Sequence, residues 1–187
     1  MNLFNKTRCY LIGNLQSESE NWEYVVNWRK DFSEKVRDMG VITMSPLDKV
    51  FVNFKQESRI FQTEMLKLLE EGKLDEVHNE MKSVRRRDLA MIDHSNFIVG
   101  VLNAEKPTFG TVEELSFAVR ANKPIFLVIQ QGIKKVPLWI AGMLKPDSFY
   151  NSLDEVLNKL QAIDCGTIPI TDENWRLFSD EYNTIQS

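Results

Sequence analysis

Residues 96–130 read NFIVGVLNAEKPTFGTVEELSFAVRANKPIFLVIQ, and this stretch decides the fold. At its ends stand two short apolar runs, NFIVGVL (96–102) and PIFLVIQ (124–130), each with the length and β-branched content of a buried strand. Between them, Thr111 to Asn122 carries Val112, Leu115 and Val119 at helical spacing, with Ala118 at the edge of the stripe. A strand, a helix and a second strand in that order make the βαβ unit of a parallel sheet.

The same alternation continues outward in both directions. RCYLIG (8–13) is an apolar run that ends in Gly, a good first strand. A helix follows over 19–39, with Trp22, Val25, Val26, Phe32 and Val36 on its apolar side and Gly40 as its stop. VITMSPLD (41–48) gives a second strand running into a Pro-containing loop. After Gln131 a short helix is expected around 137–144, a short strand near 147–150 and a helix at 152–162. The fold class is therefore α/β with a mostly parallel five-stranded sheet.

Two segments lie outside this alternation. Residues 50–80 form a helical insertion: Phe61, Met65, Leu68 and Leu69 mark one amphipathic helix that stops near Gly72, and Leu74, Val77, Met81 and Val84 resume the spacing. So long an excursion with apolar faces reads as a lid or packing arm. The tail 171–187 carries Trp175, Phe178 and Tyr182 at 3–4 spacing and reads as a docking helix, on its own or a neighbouring subunit. A single domain over 1–165 with a C-terminal docking tail at 166–187 is the expected organisation.

At 187 residues, the chain suits one well-buried domain. A net charge of −4 argues against a nucleic-acid partner, which selects a basic surface. Arg85, Arg86 and Arg87 form the one dense basic cluster, and such runs are commonly solvated helix faces. No segment approaches the ~18 apolar residues of a membrane helix, and the N-terminal apolar run is too short for a signal peptide. A cytoplasmic protein with no membrane partner is expected. Cys9 and Cys165 have neither metal nor redox spacing and read as reduced packing residues; with two histidines, no metal site and no cofactor are expected.

In open parallel sheets, ligands bind outside the carboxyl ends of the strands. Three loops qualify here: 13–18, 45–55 and 102–110. On the helix that follows the third loop, Glu113 falls nearly opposite the apolar stripe, beside Arg120, and should face solvent. Glu114 lies on the side of Thr111 and Ala118, at the edge of the buried face, where a carboxylate reaches the cleft. Asp88 shares a helical row with Val84 and Ile92. It is either a satisfied buried carboxylate or a general acid whose pKa burial raises. Tyr10, in the first strand, is a core residue whose phenol needs a partner. The loop GNLQSE has neither the GxGxxG of a dinucleotide site nor the GxxxxGK[ST] of a P-loop.

Taken together, CYLIGNLQ, SPLD, RRRDLAMIDHSNFIVGVL and GTVEELSFAVRANKPIFLV resemble the nucleoside 2-deoxyribosyltransferase family, which includes deoxynucleoside-monophosphate N-glycosidases. The resemblance covers roughly 8–160, apart from the insertion. It implies a flavodoxin-like, Rossmann-like three-layer sandwich and a role in nucleotide metabolism and salvage. It also implies cleavage of the N-glycosidic bond of deoxynucleosides or their monophosphates through a covalent intermediate, with transfer to another base or to water. By motif position Glu114 resembles the nucleophile, Tyr10 the tyrosine that orients it, and Asp88 the residue that contacts and protonates the base. Gly13 and Asn14 match residues lining the sugar pocket. Asp48, which closes SPLD, and Thr108 and Gly110 before the nucleophile are the further substrate-binding candidates.

Some positions depart from the family pattern. Thr108 stands where the transferases often carry an Asp that reads the base; a hydroxyl there is more like the monophosphate glycosidases. The first loop has no Gly-Gly or Arg to cradle a phosphate, for which Arg85–Arg87 are a conceivable substitute. Ser116 replaces the usual Gly after Glu-Leu. The family also implies a homo-oligomer, dimer or higher, in which the segment after strand four completes a neighbour's site. VPLWIAGMLKPDSFY occupies that place, and Trp139, Ile140 and Met143 suit either an interface or the core. The competing readings are a non-catalytic nucleotide-binding or regulatory protein on the same fold, and an unrelated flavodoxin-like signalling or cofactor domain.

Overall fold

The computed structural model describes residues 3–14, 22–47, 59–170 and Trp175. Five strands, β1 (Arg8–Gly13), β2 (Ile42–Met44), β3 (Phe97–Leu102), β4 (Ile125–Ile129) and β5 (Phe149–Tyr150), form one sheet in the order β2-β1-β3-β4-β5. Every neighbouring pair is parallel. The helices are α1 (Trp22–Val36), α2 (Arg59–Glu70), α3 (Leu74–Asp93), α4 (Phe109–Arg120), α5 (Leu138–Ala141) and α6 (Leu153–Asp164).

Period-two alternation in the strands sorts the core into two layers. Cys9, Leu11, Phe97, Val99, Phe126 and Val128 face α1 and α6, meeting Trp28, Phe32, Val36, Val156 and Leu160. Tyr10, Ile12, Ile98, Leu102, Leu127 and Ile129 face the other way, against Ile92 of α3 and Leu115 and Ala118 of α4. The parallel α/β sheet expected from the alternation forms, in the three-layer sandwich that the resemblance implied. It positions a site because the chain runs outward from β1 to β2 and then returns across β1 to β3. The helices after β1 and β3 thus leave on opposite faces, and a crevice opens at the carboxyl ends of those two strands.

The element boundaries follow local chemistry. Past α1 a 3-10 turn over Arg37–Met39 carries the chain to Gly40, whose φ of 75° is a left-handed stop that glycine adopts without strain. α4 starts at Phe109, two residues before the Thr111 start expected from the sequence, because Thr108 is its cap. The largest difference from the sequence reading is in the insertion. It is not separate from the helix that carries Asp88: α3 is one unbroken helix of 20 residues, about 30 Å long. α2 packs on it through Phe61, Met65 and Val84, with Leu68 at the edge, so the insertion is a helical hairpin that extends the Asp88 helix.

Other expectations divide. Trp175 lies against Phe4, Phe97 and Phe126, with ring centroids 5.7–5.9 Å apart, while Phe178 and Tyr182 fall outside the described residues. Cys9 is buried, but Cys165 is exposed rather than packed, since it follows the end of α6 on the surface. The segment after β4 splits: Ile140 enters the core and Met143 packs against it, whereas Leu138 and Trp139 are turned outward. Among the described residues, no helix is long and apolar enough to cross a membrane.

Candidate active site

The site is organised around a buried phenol. Tyr10 lies on β1 with no solvent exposure, so its hydroxyl must find a partner inside the protein. It donates to Glu114 Oε1 at 2.7 Å. Glu114 reaches that position because the buried stripe of α4 is Thr111, Leu115 and Ala118, a slightly different set from the Val112, Leu115 and Val119 suggested by the sequence. At 100° per residue, Glu114 stands about 60° from Thr111, close enough to the sheet to meet a strand residue.

The helix start is built by Thr108. Its backbone is extended, and its side chain accepts from Thr111 N at 3.4 Å; the two threonine hydroxyls are 2.8 Å apart. This hydroxyl, a candidate substrate contact from the sequence, is therefore an N-cap that also lines the cavity described below. At Gly110, a Cβ would meet nothing within 4 Å, so no protein contact demands a glycine there. Its missing side chain widens the cavity.

Asp88 is buried on α3 in the same row as Val84 and Ile92, as its spacing implied. Gly13 ends β1 where a Cβ would come within 2.9 Å of Arg29 Nη2 and 3.2 Å of Val101 O, a space that only glycine leaves open. Asn14 Nδ2 donates to Lys106 O at 3.3 Å, joining the loops after β1 and β3. Asp48 lies outside the described residues.

Between α3 and α4 lies a cavity of about 750 Å³. Gly13, Asp88, Thr108, Gly110 and Glu114 all line it, so five of the eight candidates from the sequence meet in one place, and Tyr10 supports Glu114 from beneath. Its other wall is α3, which contributes Leu74, Val77, Met81 and Val84 together with His78, Lys82 and Arg85. The insertion thus forms one side of the site. Carboxylate, basic and apolar side chains share its walls, which suits a ligand with both polar and apolar parts. Among the described residues, no group of three or more His, Cys, Asp or Glu side chains could hold a metal ion.

Two features were not read from the sequence. Arg29 is buried, donates Nη2 to Gly13 O at 3.0 Å and sits 4.5 Å from the Trp28 ring centroid. It fixes the backbone at the mouth of the first loop. A signal existed: Arg29, Phe32 and Val36 form one helical row, which puts an arginine on the buried stripe. Glu113, expected to face solvent beside Arg120, instead accepts a fork from Arg85. Arg85 Nε donates to Oε1 at 2.9 Å and to Oε2 at 2.7 Å, and Nη2 also reaches Oε1. The angular position of Glu113 on α4 was right, but α3 runs alongside and presents a cation there. The Arg85 fork holds the Glu113 carboxyl below its ordinary pKa and pushes the guanidinium up.

No protein-family model matches the chain, and no curated protein sequence does. Among solved structures, the chain is similar to a 2-deoxyribosyltransferase of Bacillus psychrosaccharolyticus, with a TM-score of 0.51 and 19% identity over 81% of this chain and 91% of that one. A CMP N-glycosidase of Clostridium botulinum gives a TM-score of 0.47 and 16% identity, over 83% of this chain and 98% of that one. At the first of these identities the likeness is one of fold, and the fold is the one that the sequence resemblance implied.

The Arg85–Glu113 pair has a definite pH window. A carboxyl whose pKa is lower folded than unfolded gives stability above the unfolded value that is lost as pH falls through the folded one. Carboxyl carbon NMR of Glu113 should therefore show a midpoint below the ordinary glutamate value, which Arg85→Ala returns to normal. An ordinary midpoint in the unmodified protein would show that the fork does not persist in solution.

Proposed function

We propose that this protein cleaves the N-glycosidic bond of a deoxynucleoside or deoxynucleoside monophosphate, with Glu114 as nucleophile, Tyr10 as the residue that orients it and Asp88 as the acid for the departing base. The observation that carries the reading is the 2.7 Å bond from buried Tyr10 to Glu114, in a cavity that also holds Asp88. A surface glutamate needs no phenol beneath it. The fold, shared with a 2-deoxyribosyltransferase, and the sequence motifs around these residues support the same reading.

The chemistry proceeds in two displacements. A carboxylate oxygen of Glu114 attacks C1′ of the sugar as the C1′–N bond breaks. The bonding pair leaves with the base, which takes a proton from Asp88. Positive charge builds on the sugar in the transition state, and the carboxylate beneath it stabilises that charge before trapping it as an ester. The Tyr10 hydrogen bond fixes the carboxylate in the attacking orientation. In the second step a base or a water attacks C1′, the ester C1′–O bond breaks and Glu114 is released; the attacking group's proton goes to Asp88. Two inversions at C1′ give net retention. The sugar sits at Glu114, Gly13 and Gly110, and the base lies towards the apolar wall of α3.

The site also adjoins an apolar surface. Phe109 and Leu138 are more than nine-tenths exposed and Trp139 is 80% exposed; Phe109 and Trp139 share a second groove of about 690 Å³ with Val112 and Met143. Side chains of this size are rarely left to water in a contiguous patch unless something covers them. A second copy of the chain is the proposed cover, giving a homo-oligomer with its interface beside the site.

Two measurements test these claims. Each deoxynucleoside and its 5′-monophosphate is incubated with and without a second free base, following base release and exchange. Turnover is expected, lost in Glu114→Gln and reduced about 10–100-fold in Tyr10→Phe, the worth of one hydrogen bond to a charged group. Full activity in Glu114→Gln would overturn the mechanism, and ligand binding without turnover would make the protein a nucleotide-binding module. Sedimentation should show an oligomer that Trp139→Asp dissociates; a monomer at all concentrations would remove the interface.

A further inference from the structure

We infer that the Arg85–Glu113 fork is a positioning clasp that sets the separation of Asp88 from Glu114 across the cavity. The inference rests on the roles just proposed for those two residues and deepens them.

The two carboxyl groups stand on different helices that are held in different ways. α4 is fixed to the sheet by Leu115 and Ala118 in the core and by the Tyr10–Glu114 bond. α3 is fixed near its C-terminal end, where Ile92 is fully buried and Leu89 packs on the same core. Further back, Val84 packs on α2 rather than on the sheet. Asp88 lies between these anchors; α3 and α4 meet through Leu89 and the core they share, and beside that contact the space between them opens into the cavity. Along the open stretch side chains do not interdigitate fully, so packing sets the helix spacing less tightly there than in the core.

The fork spans that gap. Arg85 precedes Asp88 by three residues on α3, and Glu113 immediately precedes Glu114 on α4; both line the cavity. A guanidinium held on both oxygens of a carboxylate fixes distance and angle together, which a single contact does not. Both side chains are substantially exposed, at 57% and 37%, so the pair adds little to global stability. Its effect is on geometry. Proton donation to a leaving group depends steeply on placement, and an error of about 1 Å lowers rates on the order of a hundredfold.

The test is a charge-swap cycle read in kinetics. Arg85→Glu and Glu113→Arg should each lower kcat by about 10–100-fold, the penalty for a misplaced catalytic group, with KM and the melting temperature close to wild type. The double variant, which restores the pair in reverse, should recover much of kcat. Single effects that simply add in the double variant would overturn the clasp. A loss carried by KM would instead make Arg85 or Glu113 a substrate contact, and a fall in melting temperature would make the pair a stability element; either result overturns the inference. Wild-type protein that turns over no nucleoside or nucleotide would overturn the underlying reading and the clasp with it.

Discussion

A buried phenol bonded to the carboxylate above it is the constraint from which the rest of the site follows. Tyr10 has no access to water, and an unpaired buried hydroxyl costs about 1–3 kcal/mol. β1 therefore requires an acceptor from the layer above it, and α4 supplies Glu114. That pairing fixes the rotation of α4 about its axis. The same rotation places Thr111, Leu115 and Ala118 in the core and aims Glu113 at α3. The cavity is what remains between this fixed helix and the long α3.

Much of this was legible in the sequence, because it depends on periodicities within one element. The strands showed as short β-branched runs, and their alternation with helices gave the parallel sheet. Asp88 declared itself by sharing a row with Val84 and Ile92, and the 100° between Glu113 and Glu114 set the residue nearer the sheet apart from its neighbour, though both line the cavity. What could not be read was which element would stand opposite. Helix geometry says where Glu113 points, but not that Arg85 waits there. Likewise, the spacing of residues 74–84 runs into the Val84, Asp88 and Ile92 row, but nothing in it shows that these residues line a cavity with α4.

Buried charge was the other blind spot. Arg29 lies on the stripe where an apolar side chain belongs, and pattern reading passes over such a gap. In the fold, the guanidinium donates Nη2 to the Gly13 carbonyl and lies over Trp28, which gives the buried charge partners within the apolar layer. Gly13 is needed for the same approach. A glycine that the family resemblance ties to the sugar pocket therefore has a packing reason as well. Thr108 is a similar case: its place in the cavity wall is inseparable from its work as the cap of α4.

The long α3, which joins the insertion to the Asp88 helix, sets the character of one wall of the site. Val77, Met81 and Val84 give the cavity an apolar wall, and His78, Lys82 and Arg85 add polar groups along the same helix. The most direct measurement of the central claim is mass spectrometry of protein denatured during turnover of a deoxynucleoside or its monophosphate. The account predicts a deoxyribosyl adduct on the peptide containing Glu114, localised by fragmentation to that residue. An adduct on Glu113 or Asp88, or steady turnover with no adduct under conditions that slow the second step, would contradict it.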